Sequence, residues 1–211
     1  MSQQKLAAPE LAAIDVQGLS RQTFIVRGAL TAGAVYGLGA VGPFVREAIA
    51  QEGGGDVDIL NFALTLEYLE SAFYNQGLKK AGLSGEAKSL ATEIRDNEVE
   101  HVAALTKTIK SLGGMPVKAP GVDFGMAFAN QKSFLKLAQT FEDTGVSAYN
   151  GAGPSIKSPE VLAAAGSIVQ VEARHAAAIR SLNGVPITDG GFDKSLDMNA
   201  VLKAVQPFVK S

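Results

Sequence analysis

The chain has 211 residues, 46% of them hydrophobic and 19% charged, with no Cys and no Trp, a globular composition well outside the disordered range. Zero Cys excludes a disulfide scaffold, thiolate zinc sites, iron–sulfur ligation and a cysteine nucleophile, and a formal charge of -2 leaves no basic footprint for nucleic acid. The only two His, His101 and His175, each follow a Glu by three residues.

Residues 1–27 are polar and carry Lys5, Arg21 and Arg27. Gly28 to Val45 then runs eighteen residues without a charge, and Arg46, Glu47 and the small-residue pattern Ala48-Ile49-Ala50 follow. A basic segment, an apolar segment and an A-x-A site stand in the order of an export signal. Five glycines dilute the apolar segment and Pro43 sits near its end, which makes it a poor membrane-spanning helix; no stable span is expected after processing. The segment SRQTFIV at 20–26 resembles a twin-arginine export signal, although Gln22 stands where that family has its second Arg. The resemblance implies export to a bacterial periplasm or beyond, with cleavage after Ala50. The other readings are an uncleaved N-terminal membrane anchor and a helix packed on the domain. Gly37, Gly39 and Gly42 also spell G-x-G-x-x-G, but that fingerprint has meaning only between a strand and a helix, and nothing downstream alternates with period two.

Gln51 to Gly55 reads as a linker. From Asp56, Ile59, Phe62, Leu66, Leu69 and Phe73 repeat at three and four, predicting a first helix to about Gly82. Ser84 is placed to cap a second, which ends at Gly113-Gly114 with Pro116 beyond. Residues 115–130 hold two Pro and two Gly without a period and form a long crossover. A third helix spans roughly Gln131 to Asn150. Ser158-Pro159-Glu160 opens a fourth, with an N-cap, Pro at N1 and an acid in the first turn; it runs to about Asn183, with Gly184 in the stop position. The tail, 185–211, contributes one short helix near Met198 to Val205. Two hairpins joined by one long connection predict an all-α four-helix bundle over residues 56–184.

The two hairpins are also alike in sequence. LEYLESAFY (66–74) aligns with FEDTGVSAY (141–149) at an offset of 75, Glu98 and His101 with Glu172 and His175 at 74, and SLGGMPV (111–117) with SLNGVPI (181–187) at 70. The lost four residues are close to one turn, so the same face is kept. The pattern is that of a duplicated helical hairpin.

Each helix carries acid on its apolar stripe. Glu98 and His101 share a face with Ile94, Leu105 and Ile109, and Glu172 and His175 with Ala165, Ile168 and Ile179. Glu142 shares one with Leu135, Ala138 and Val146, and Glu67 with Leu60, Ala63 and Leu64. With 12 Glu in 211 residues, both His having Glu three positions before them is expected by chance roughly 3 times in 1,000. Buried carboxylates are costly without counter-charge and repel one another. Four carboxylates at -4 are balanced by two divalent cations, and two neutral imidazoles complete the shells. Glu from two helices with Glu-x-x-His from the other two is the pattern of the di-iron and di-manganese carboxylate bundles. Glu70 lies as near the centre of the arc as Glu67. The duplication, Tyr74 seven residues on, and the intervals to Glu98 and Glu172 favour Glu67, leaving Glu70 as a neighbouring or alternative ligand. Arg95, Asp96, Asn97, Asp143 and Arg174 are either neighbours of the ligands or solvated, with solvation favoured for most of them, and Glu100 reads as surface.

Over residues 56–184 these motifs resemble the ferritin-like superfamily, and DVDILNFALTLEYLESAFYNQGL (56–78) resembles its branch of desiccation-related proteins. The resemblance implies a di-metal centre in which Glu98 and Glu172 bridge two iron or, alternatively, two manganese ions. Glu67 and Glu142 would be terminal, and His101 and His175 would bind one ion each. It places Tyr74 and Tyr149 beside the centre as hydrogen-bond or electron donors; the other reading of each is a core aromatic whose hydroxyl has found a partner. The activity it implies is ferroxidase or peroxidase chemistry on dioxygen or hydrogen peroxide, or catalase-like disproportionation with manganese. The rival is a non-catalytic, stress-protective bundle. A homodimer through a helix face is the ordinary oligomer for such a bundle, and nothing in the tail suggests a storage cage.

Overall fold

Helix starts and stops follow local chemistry. The computed structural model describes residues 55–210; the export-like segment and most of the linker lie outside them. Helix α1, Asp56–Lys80, opens with Asp58 accepting from the Gly55 N–H at 3.4 Å, and α2, Gly85–Ser111, follows after a four-residue turn. Ser84 stands at the N-cap position of α2, but its hydroxyl makes no capping bond. Its N–H instead donates to Gln131 Oε1 at 3.0 Å. Helix α3, Gln131–Ala152, is capped by Asn130, which accepts from the Ser133 N–H. Helix α4, Pro159–Leu182, is capped by Ser158, which accepts from the Val161 N–H. A short α5, Met198–Val205, is capped by Asp197. Among the described residues the elements are helical throughout, apart from one antiparallel bridge between Val122 and Val209, and no helix is long and apolar enough to cross a membrane.

The second and fourth helices end alike, one residue out of the register of 70 in the sequence alignment. After α2, Gly114 N–H donates to Ile109 O and Gly113 N–H to Lys110 O; after α4, Val185 N–H donates to Arg180 O and Gly184 N–H to Ser181 O. Both are Schellman ends. Gly113 and Gly184 take the left-handed φ they require, 79° and 69°.

The hairpins α1–α2 and α3–α4 pack as two pairs, with α1 against α3 and α2 against α4. Side-chain ties fix their register. Asp56 accepts the N–H groups of Lys157 and Ser158, each at 2.7 Å, joining the start of α1 to that of α4. Asn61 donates to Met115 O and accepts from Val117 N–H, pinning the crossover onto α1. Arg180 forks onto both oxygens of Asp143 at 2.7 and 2.9 Å and reaches Asp189, tying α4 to α3 and to the tail. The tail is part of the core rather than an appendage. Val201, Leu202 and Val205 are buried, Phe208 packs edge-on against Phe141, and Asp123 N–H donates to Phe208 O across to the crossover.

The apolar core has two parts. One, around Phe73, Phe134, Phe141, Ile94 and Ile179, fills one end of the bundle, with Phe73 stacked on Phe134. The other, around Leu64, Leu105, Ile109, Tyr149 and Val161, fills the opposite end. The ionisable groups lie in a layer between them.

Candidate metal centre

That layer is built from one turn of each long helix. Glu67 comes from α1, Glu98 and His101 from α2, Glu142 from α3, and Glu172 and His175 from α4. The four glutamates are 0–1% exposed, and the histidines 8% and 5%. The Glu-x-x-His spacing sets carboxylate and imidazole about one turn apart on the same inward face.

The six side chains converge. His101 Nδ1 lies 3.0 Å from Glu172 Oε1, 3.2 Å from Glu67 Oε2 and 3.3 Å from Glu98 Oε2. His175 Nδ1 lies 3.1 Å from Glu98 Oε1, 3.5 Å from Glu142 Oε2 and 3.9 Å from Glu172 Oε2. Two sets of donor atoms result, each within 4.8 Å of one another: Glu67, Glu98, His101 and Glu172, and Glu98, Glu142, Glu172 and His175. Glu98 and Glu172 belong to both and turn one oxygen toward each histidine. Ligands about 2.1 Å from an octahedral cation stand ~3.0 Å apart when adjacent and ~4.2 Å when opposite, and the histidine–carboxylate separations of 3.0–3.9 Å lie in that span.

Hydrogen bonding tests the fit. Glu98 Oε1, Glu142 Oε2, both oxygens of Glu172 and His175 Nδ1 are buried without a hydrogen-bond partner, although several stand within ion-pair distance of one another. They converge on one another without a hydrogen bond of good geometry, as donors around a cation do. Buried polar atoms left unpaired are rare and costly, so these residues fit a bound metal. The outer atoms, by contrast, are satisfied. Tyr149 donates to Glu67 Oε1 at 2.5 Å, and Tyr74 donates to Glu142 Oε1; each tyrosine comes from the opposite hairpin. Asn97 Oδ1 accepts from His175 Nε2 at 3.0 Å, which leaves the Nδ1 lone pair free to point inward.

Without a cation, protons carry the compensation. Burial works against ionised Glu98, but contacts with both imidazoles outweigh it and hold its carboxyl down at about 2. Burial, with repulsion from Glu98, pushes Glu172 up to about 8. Glu67 rises well above the ordinary range through burial and repulsion from Glu172 and Glu98, and burial also raises Glu142. Burial opposes charge on the histidines too, yet the surrounding carboxylates prevail, raising His101 to about 12 and His175 to about 10. Burial and the adjoining carboxylates keep both tyrosines protonated and therefore donors.

The structure sorts the remaining candidates. Asn97 touches His175 directly. Asp143 is the partner of Arg180 instead, Arg95 pairs with exposed Asp96 at 2.6 Å, and Arg174 and Glu100 are on the surface. Glu70 lies in the layer, 4% exposed, outside both four-residue sets. Gly145, opposite it on α3, is a site residue that pattern reading passed over. The signal was available, since the offset of 75 that pairs Glu67 with Glu142 pairs Glu70 with Gly145.

A duplicated four-helix bundle with a carboxylate–histidine layer at mid-height defines a class of protein. The ferritin-like domain family matches residues 55–185, and the chain belongs to it, as the resemblance of the motifs implies. Among curated proteins, Protein rds1 of Schizosaccharomyces pombe is 26% identical over 162 residues, covering 73% of this chain and 39% of the relative. The chain thus spans about two fifths of the length of that relative.

Proposed function

We propose that the centre holds two redox-active ions, iron or alternatively manganese, and that the protein uses them as a ferroxidase or peroxidase on dioxygen or hydrogen peroxide. The observation that carries this is the sharing of Glu98 and Glu172 between two adjacent donor sets. Two separate mononuclear sites would share no ligand, and a single site would use four of the six residues. Four carboxylates at -4 match two divalent ions at +4, and the neutral imidazoles add donors without adding charge.

Bound there, such ions would supply one-electron chemistry between the +2 and +3 states. The chain's own part is to hold the carboxylates without water competing for them. The apolar clusters at either end exclude solvent, so the carboxylate charges are screened less there than in water. Tyr149 and Tyr74 fix the outer oxygens of Glu67 and Glu142, leaving the inner oxygens to bind, and both stand close enough to supply an electron. Asn97 holds His175 in the tautomer that presents Nδ1. Affinity order favours iron over manganese, but supply during loading decides. Export in the folded state, suggested by residues 20–50, would let the cytoplasm choose the metal.

The test is metal content by mass spectrometry on protein prepared without chelators, followed by the rate of Fe²⁺ oxidation in air, with Glu98→Ala alongside. About two ions per chain, lost together with the oxidation in the variant, is the expected result. Two manganese ions would redirect the reading to peroxide disproportionation. Equal oxidation rates in the two proteins would remove the enzyme reading and leave the non-catalytic bundle.

A further inference from the structure

We propose that a cleft beside Tyr149 is a binding site for an apolar diatomic molecule, dioxygen, and admits it to the Glu67 side of the centre. This rests on the metal-binding reading above and deepens it by choosing between the two oxidants. The cleft lies between the hairpins, where Leu60, Ala63 and Leu66 of α1 face Ala148 and Tyr149 of α3 and Ala165 of α4. Its volume is about 10 Å³, room for a single molecule the size of water or dioxygen. Its exposed walls are apolar throughout, because the one hydroxyl among them, on Tyr149, donates to Glu67 Oε1 at 2.5 Å. A confined water needs about two to four polar partners, and hydrogen peroxide needs them as well. The cleft offers none, so an apolar occupant is favoured over both.

Tyr149 joins the cleft to the centre. Its ring is a wall of the one, and its hydroxyl holds Glu67 in the other. Glu67 follows Leu66 directly and lies one turn beyond Ala63, so a single turn of α1 supplies both the lining and the carboxylate. Leu66 and Ala148 belong to one apolar cluster, and Leu60, Ala63, Tyr149 and Ala165 to the other. The cleft therefore opens at the seam between the clusters, the height at which the carboxylates lie.

The other copy of the hairpin shows that the fold does not force this opening. The offset of 75 that pairs Tyr149 with Tyr74 also pairs Ala148 with Phe73, Leu66 with Phe141 and Ile59 with Phe134. Around Tyr74 the three phenylalanines fill the space. Phe73 stacks on Phe134 with centroids 4.8 Å apart and meets Phe141 edge-on at 5.1 Å, while Phe73 and Phe134 stand edge-on to Tyr74 at 5.3 and 5.7 Å. Tyr74 is fully buried behind them, whereas Tyr149 is 9% exposed. At the same three positions around Tyr149 stand an alanine and two aliphatic side chains, Ala148, Leu66 and Ile59, and all three line the cleft. One approach to the centre is sealed by rings, and the other is open to a small apolar molecule.

The experiment is methyl NMR on the full chain, metal-free with chelator present, with labelled alanine methyl groups and dissolved dioxygen under pressure, nitrogen serving as the blank. Dioxygen is paramagnetic and speeds the relaxation of protons it approaches. The methyl groups of Ala63, Ala148 and Ala165 should relax severalfold faster under dioxygen. Those of Ala138, the duplicate of Ala63, and of Ala91, both 0% exposed, should change least. Ala148→Phe installs the ring that the duplicate carries and should abolish the response at Ala63 and Ala165; Ala148→Leu should do the same at a smaller cost in packing. After loading with Fe²⁺, Ala148→Leu should be oxidised severalfold more slowly than wild type by dioxygen and at the wild-type rate by hydrogen peroxide. A response at Ala63 no greater than at Ala138 overturns the gas site. Slowing with both oxidants alike, or with neither, overturns the route. Protein that takes up no iron overturns the proposed function and the route with it, while the methyl response still decides the site.

Discussion

Metal uptake by this centre should expel protons in a fixed number. At pH 7 the metal-free protein holds His101, near 12, and His175, near 10, as imidazolium, and Glu172, near 8, as the acid. A metal accepts only neutral imidazole and ionised carboxylate. Loading the centre therefore releases close to three protons from these groups alone, and any carried by Glu67 and Glu142, also raised by burial, add to them. Deprotonating the two raised imidazoles is the larger part of the work of binding at pH 7, and deprotonating Glu172 the smaller. Because these groups share the same carboxylates, their costs do not add, and the number of protons released is the quantity that binding reads. Linkage turns the count into a slope, and the pair binds about 1,000-fold more weakly at pH 6 than at pH 7. The assay is anaerobic titration with Mn²⁺ in weakly buffered solution with a pH indicator, backed by calorimetry in two buffers of different protonation enthalpy. Release of fewer than one proton per chain at pH 7 would refute the reasoning, because the imidazoles would then be neutral in the metal-free protein.

The same groups make metal-free stability fall as pH rises. Glu172 is raised above its unfolded value, so its contribution is complete below about 4.5 and lost up to about 8; those of His101 and His175 are complete below about 6.5 and lost up to about 12 and 10. Glu98, held near 2, acts the other way, and only below about 4.5. Thermal unfolding with chelator present should give a higher Tm at pH 5.5 than at pH 8, and a Tm that rises over this range would contradict the assignment. Asn97→Leu removes the acceptor that orients His175 and should weaken one ion on the order of tenfold in a Co²⁺ titration, with unchanged affinity for both ions as the contrary result. Tyr149→Phe takes a hydrogen bond from the buried Glu67 carboxyl, which burial holds protonated without a cation, and should cost about 0.5–1.5 kcal/mol in urea unfolding of the metal-free protein; no loss would mean that this bond contributes nothing to the fold. Gly151→Ala places a Cβ 1.8 Å from Leu196 O, where the Leu196 N–H donates to Ser147 O. It should cost about 1–3 kcal/mol and expose the tail to protease, and wild-type resistance to cleavage would show that the tail packs otherwise.

What could be read from the sequence was what depends on neighbours along a helix. The Ser158-Pro159 start, the paired Gly stops of SLGG and SLNG, and the set Glu67, Glu98, His101, Glu142, Glu172 and His175 on inward faces are all products of spacings of three and four. What could not be read depends on partners distant in sequence. Ser84 has the composition of a cap, yet its N–H answers Gln131 on α3, which no local pattern announces. The tail's bridge to the crossover, Val122 with Val209, is made by backbone atoms that every residue carries. Asn97 and Asp143 looked alike as candidates, since each adjoins a ligand in sequence. One turned out to meet His175 and the other Arg180, because helical angle gives the side a residue faces but not which side chain meets it there.

The duplication explains both the regularity of the centre and where that regularity fails. Two copies of one hairpin give each half a terminal glutamate, a Glu-x-x-His pair, and a tyrosine that crosses to the other copy's glutamate. Exchange of the halves would leave such a centre unchanged and its two positions equivalent. Two residues break the equivalence. Asn97 orients His175, while the duplicated position, Val171, offers His101 no acceptor. Glu70 enters the layer where its duplicate, Gly145, has no side chain at all. Both departures lie in the layer itself, one as a fixed imidazole and the other as a further buried acid. Had the copies diverged only to improve packing, the changes would fall among the apolar clusters and could fall on either half. Their place in the layer, rather than in the clusters, is what a centre would show if its two positions were no longer equivalent.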